Sequence, residues 1–125
     1  MNWRGIALIA ALYGLLAVVL AAQGAHLLPA DQEAAQKLWA TALQMHIFHA
    51  AALLAVAALS AYRGSFLLPW SGLMMAVGVL LFSGSLYLRA TGFEFLPGPV
   101  TPAGGIILML GWALLFIGLI RIPSG

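Results

Sequence analysis

Apolar residues along this chain fall into four long runs, roughly Gly5–Ala22, Leu43–Tyr62, Leu68–Leu88 and Ala103–Ile120, separated by short polar or Pro/Gly-bearing breaks. A helix needs about 20 apolar residues to cross a hydrocarbon core about 30 Å thick, so each run predicts one span. The predicted helices cover about 4–26, 31–62, 67–89 and 102–121. Together they make residues 1–125 a single all-α integral membrane domain, four transmembrane helices in an up-down antiparallel bundle.

The breaks refine these elements. Pro29-Ala30-Asp31-Gln32-Glu33 reads as a helix start, with Asp31 as N-cap and acidic groups near the positive end of the helix dipole. No Gly or Pro follows until after Tyr62. The second helix is therefore expected to run unbroken, with two turns carrying Gln36 and Lys37 beyond the hydrocarbon. Arg63-Gly64-Ser65 predicts a tight turn. Thr91 to Pro102 holds three prolines and two glycines and cannot be helical throughout.

Composition changes little in this picture but excludes much. Hydrophobic residues reach 64% and charged ones only 6%, against roughly 45–50% and about 25% in soluble domains. The net charge of +2 comes from scattered single residues, so the basic patch that nucleic-acid binding requires is missing. The absence of cysteine removes disulfides, thiolate nucleophiles and Cys-ligated metal sites. Arg4 ahead of the first run and Ala21-Ala22-Gln23 behind it imitate a secretory signal. The run is longer than the ~7–15 residues of a signal core, and it is expected to stay as the first span.

Arg4, Arg63 and Arg121 fall at one end of the predicted bundle. Asp31, Glu33, Lys37, Arg89 and Glu94 fall at the other. The positive-inside rule then predicts that both termini lie in the cytoplasm. Trp3, Trp39, Tyr62, Trp70, Tyr87 and Trp112 lie mostly near span ends, where amphipathic rings favour the interface.

Small residues mark the faces expected to pack. Ala7, Ala10, Gly14, Ala17, Ala21 and Gly24 line the first helix. Ser71, Gly78 and Ser85 repeat every seven residues in the third, as do Gly104, Gly111 and Gly118 in the fourth. Lipid is as apolar as leucine, so close backbone approach along such seams drives helix association. A seven-residue period implies small crossing angles.

The polar side chains gather at the outer end. His26 closes the first helix, and His46 and His49 share one side of the second at i and i+3. Ser83, Ser85 and Arg89 end the third, and Thr101 begins the fourth. His49 lies about 9 Å inside the outer interface, counting ~1.5 Å per residue back from Arg63. Such a residue faces the bundle or a wet crevice and is a functional candidate by default. The same imidazoles also serve a purely structural role when bonded to Gln44, Ser83, Ser85 or backbone carbonyls. No cofactor is expected. If a metal or haem were held, His26, His46 and His49 would be its ligands, though His-x-x-His is a weak signature. No Asp or Glu lies inside a run, which argues against acid–base catalysis and a carboxylate proton relay.

The strings Gly24-Ala25-His26, Gln44-Met-His-x-x-His49, Leu81-Phe-Ser-Gly-Ser-Leu-Tyr87, Thr101-Pro-Ala-Gly-Gly105 and Leu110-Gly-Trp112 occur in this order along nearly the whole chain. In them the chain resembles the domain of unknown function 423 family, the YgdD-like and transmembrane protein 256-like small membrane proteins. It departs at Gln23, where an aromatic is common, and at Arg89, where a neutral residue is usual. The resemblance implies a four-span inner-membrane protein with no established activity. Two functions are consistent with the residues. One is a non-enzymatic structural or accessory module of a homo-oligomer or larger membrane complex, in contact with the lipid bilayer. The other is a ligand-handling protein whose outer crevice, lined by His26, His46, His49, Ser83, Ser85 and Arg89, takes a metal, haem, quinone or lipid headgroup.

Overall fold

The computed structural model describes residues 2–93 and 95–124, and Glu94, expected at the outer end, lies outside them. Its elements are α1 (Trp3–Leu27), α2 (Glu33–Tyr62), α3 (Leu67–Ala90) and α4 (Val100–Arg121). All four are long and apolar enough to cross a membrane, and no strand occurs among the described residues. At 30 residues α2 is the longest. It reaches about 45 Å, some 15 Å more than the hydrocarbon core, with Glu33, Gln36 and Lys37 exposed at its projecting end.

The helix ends follow local chemistry. The Asn2 side chain caps α1 by accepting the Gly5 N–H at 3.0 Å. Asp31 is not the cap of α2, contrary to the sequence expectation. A turn closed by the Gln32 N–H onto the Pro29 carbonyl at 3.1 Å holds Asp31 within it, so Gln32 occupies the cap position and makes no side-chain cap bond. Gln36 instead reaches back to the Pro29 carbonyl at 2.9 Å. At the far end of α3, Gly92 has φ +87°. The Phe93 and Gly92 N–H groups return to the Leu88 and Arg89 carbonyls, which is the Schellman arrangement that a left-handed glycine permits. Pro102 sits third in α4, where its missing N–H would have had no helical partner.

α3 is the axis of the molecule. Its apolar window is 56% buried, against 17% for α1 and 28% for α4. α4 runs antiparallel to it on the glycine seam. A Cβ at Gly104 would stand 2.9 Å from the Phe82 Cα, one at Gly78 would meet Leu108, and one at Gly111 would lie 3.2 Å from the Met75 nitrogen. Gly104, Gly111 and Gly118 are all buried, as are Ser71, Gly78 and Ser85 opposite. On the other side Ile6 of α1 packs into Gly72, and Leu53, Val56 and Ala57 of α2 complete the main core with Leu68, Met75 and Val79.

The α1 seam divides. Ala10 and Ala17 are buried and Gly24 lies under the Trp39 indole, but a Cβ at Gly14 would meet nothing within 4 Å. Ala11, Gly14, Val18 and Ala21 of α1 face Ala51 and Leu54 of α2 across an open apolar groove of about 540 Å³. Among the described residues α1 and α4 make no backbone-level contact. The Arg63 guanidinium donates to the Pro123 carbonyl at 3.5 Å, which sets the α2–α3 turn beside the C-terminal end.

Candidate functional site

The expected outer crevice is not one site. Three residues along a helix leave side chains about 60° apart around its axis, and that angle sends His46 and His49 to different neighbours. His46, 5% exposed, turns toward α1 and α3. Its Nδ1 lies 2.9 Å from the Tyr87 hydroxyl, and the rings of Tyr13 and Tyr87 meet its own edge-on, at centroid distances of 5.7 and 5.9 Å. His49, 2% exposed, turns toward α4.

Hydrogen bonds assign the His49 tautomer. Trp112 Nε1–H is donor only and reaches His49 Nε2 at 3.0 Å, so Nε2 is the acceptor. Nδ1 then carries the proton and donates it to the Met45 carbonyl at 2.8 Å. Both ring nitrogens are satisfied, and no lone pair is left to ligate a metal or haem.

The other candidates separate in the same way. His26 is exposed at the end of α1. Ser83 donates to the Ala42 carbonyl at 2.8 Å, tying α3 to α2. Ser85 bonds the Phe82 carbonyl and the Thr101 hydroxyl, tying α3 to α4. Arg89 donates to the Pro97 carbonyl at 3.0 Å and lines a separate pocket with Leu28, Pro29 and Gln32. The trio His26, His46 and His49 is therefore not brought together, and among the described residues no three His, Cys, Asp or Glu side chains converge as metal ligands.

Aromatic residues complete what the sequence reading missed. Trp39 is 6% exposed, donates to the Leu20 carbonyl at 3.0 Å and packs on Tyr87 at 4.7 Å. It joins α1, α2 and α3 rather than anchoring at the interface, while Trp3, Tyr62 and Trp70 remain exposed. Tyr13 donates to the Ala76 carbonyl at 2.7 Å. The available signal was depth: Tyr13 and Trp112 stand inside apolar runs, where a hydroxyl or indole N–H needs a protein partner.

The arrangement supplies interhelical bonds, an apolar cleft between α1 and α3 beside His46 and an open apolar groove between α1 and α2. Residues 20–105 match the family model described as protein of unknown function (DUF423). Over 123 residues the chain is 39% identical to the UPF0382 inner membrane protein YgdD of Escherichia coli K12, covering 98% of this chain and 94% of that one. It is 33% identical to the UPF0382 membrane protein YwdK of Bacillus subtilis, covering 91% and 94%. It is 36% identical to the UPF0382 membrane protein C1782.12c of Schizosaccharomyces pombe, covering 87% and 96%. No solved structure matches the chain. With that family model over most of its length and such relatives over nearly all of it, this multi-pass membrane protein belongs to the DUF423 (UPF0382) family.

Proposed function

We propose that the protein is a non-enzymatic packing module of the inner membrane, assembling through the groove between α1 and α2 with a second copy of itself. The observation that carries this reading is the unoccupied part of the α1 seam: Gly14 opens onto empty space between alanine-lined walls. Small-residue grooves of this kind admit a helix whose own surface is small. The seams of α3 and α4 are consumed within the molecule. α1 carries an unspent small face, Ala11, Gly14 and Ala21, beside the groove itself. Two copies related by a two-fold axis would place α1 against α1, each filling the other's groove, in an isologous contact.

Arg4, Arg63 and Arg121 share one end, which supports a cytoplasmic placement of both termini. The reading requires no cofactor. Single cysteines at Ala11 and Ala21, introduced into a chain without native cysteine, should form disulfide-linked dimers in oxidised membranes, whereas one at Phe116 on α4 should not. Gly14→Leu should fill the groove and convert the dimer to monomer in native mass spectrometry. A strictly monomeric wild type in membranes and mild detergent would overturn the proposal. Crosslinks from the same positions to a different polypeptide would replace the second copy by a larger complex.

A further inference from the structure

Where α1 begins and α4 ends, the α2–α3 turn and the last turn of α4 enclose a pocket of about 270 Å³. Arg121 and Ser65 line it, together with Phe66, Ile122 and Pro123. Arg63 stands beside it. Its guanidinium donates to the Pro123 carbonyl at 3.5 Å, and the Tyr62 ring centroid lies 5.2 Å from its Cζ. That one bond leaves most of its five N–H donors unused. α3 begins at the same place without a side-chain cap, which adds its first N–H groups to the donors at this end. The acidic side chains of the chain belong to the other end. Asp31 and Glu33 lie at the start of α2, and Glu94 in the segment between α3 and α4.

From this geometry we propose that the pocket binds the phosphate of an anionic phospholipid, held by Arg121 and Arg63, with its acyl chains along α3 and α4. Charge selects an anion. Two guanidinium groups at one small pocket, with no carboxylate side chain at that end, set up a positive field. Each is always ionised, and its planar fork matches two phosphate oxygens. The pocket beside Arg89 lacks this selectivity, because Asp31 and Glu33 flank the Gln32 of its wall.

Depth selects a lipid over a soluble anion. Trp70 and Ile117 are exposed apolar side chains one turn along their helices from Phe66 and Arg121, and Ile120 is exposed beside Arg121. Lipid tails therefore reach the edge of the pocket, and its arginines stand at the level where hydrocarbon gives way to head groups. Basic pockets between spanning helices recognise anionic head groups at this depth. A zwitterionic lipid would bring an ammonium group against the same arginines. A head group whose only charge is its phosphate, such as phosphatidylglycerol, fits better.

The test titrates delipidated wild-type protein in mild detergent with phosphatidylglycerol or phosphatidylcholine and counts bound lipid by native mass spectrometry. The first phosphatidylglycerol should bind about tenfold more tightly than phosphatidylcholine. Arg63→Gln and Arg121→Gln should each weaken it about fivefold, the worth of one arginine at a head group. Ser65→Asp, which sets a carboxylate in the wall and leaves both arginines in place, should erase the preference. Arg63→Gln also gives up the Pro123 bond, so Arg121→Gln and Ser65→Asp, which break no interhelical bond, carry the decision. Arg4→Gln and Arg89→Gln remove the same charge elsewhere and should leave binding unchanged. Equal binding of the two lipids would overturn the proposal, as would an equal loss in all four glutamine variants, which would show attraction by net charge alone. Displacement of the lipid by millimolar inorganic phosphate would make the pocket a site for a soluble anion and overturn it as well. Gly14→Leu, in the α1–α2 groove, should leave lipid binding intact, so this proposal and that of self-association fail separately.

Discussion

His49 shows what a single polar side chain does in this membrane interior. Its two nitrogens are spoken for by Trp112 and the Met45 carbonyl, so it joins α2 to α4 where, among the described residues, no backbone-level contact does. Removing either partner leaves a polar atom unpaired in a dry site. His49→Ala and Trp112→Phe should each lower the melting temperature in detergent without preventing insertion. A double-mutant cycle should give a coupling of about 0.6 kcal/mol, reaching at most about 1.7; strict additivity would show that the bond contributes nothing. The positions of His46 and His49 were legible in the sequence because a polar residue inside an apolar run stands out. Their partners were not. Spacing along one helix defines an angle about its own axis and says nothing of which neighbour occupies that direction, so two histidines one turn apart were read as one site.

At the level of the helix, glycine has two opposite uses here. Gly104 is where the backbones of α3 and α4 come closest, and an added methyl would strike the Phe82 backbone, which cannot rotate away. Gly104→Ala should therefore force the pair apart and lower stability by 1–3 kcal/mol, the order of about 2 that overpacking costs. In the isolated subunit Gly14→Ala places the same methyl in open space and relieves a helix of its most flexible residue, for a gain of about 1 kcal/mol. Thermal unfolding monitored by circular dichroism should separate the two in sign, and equal effects would contradict the packing described. The heptad of Gly104, Gly111 and Gly118 could be read ahead of the structure because its partner seam in α3 has the same period. The seam of α1 could not be resolved that way: Ala10, Ala17 and Gly24 pack inward while Gly14 and Ala21 do not. Small residues mark close approach without saying whether the approaching helix belongs to the same chain.

Across the whole molecule the up-down order and the Arg63–Pro123 bond put the α2–α3 turn and the C-terminal end together. Cysteines introduced at Ser65 and Ser124 should react with a membrane-impermeant thiol reagent from the same side, and one at Thr91 from the other. Reaction of all three from one side would refute the arrangement. The architecture was legible because four apolar runs admit few alternatives in a bilayer, whereas the centrality of α3 depended on which faces met. That centrality bears on how the protein is made. α2 packs on α1, α3 on α2 and α4 on α3, so as each span leaves the ribosome the surface it needs is already in the membrane. α1 and α2 must await a later helix, since their shared face around Ile6 and Leu53 is covered when α3 arrives. A translation pause before α3 is thus the moment when this chain is most open to capture by quality control, and a pause before α4 leaves the glycine face of α3 exposed and His49 without Trp112.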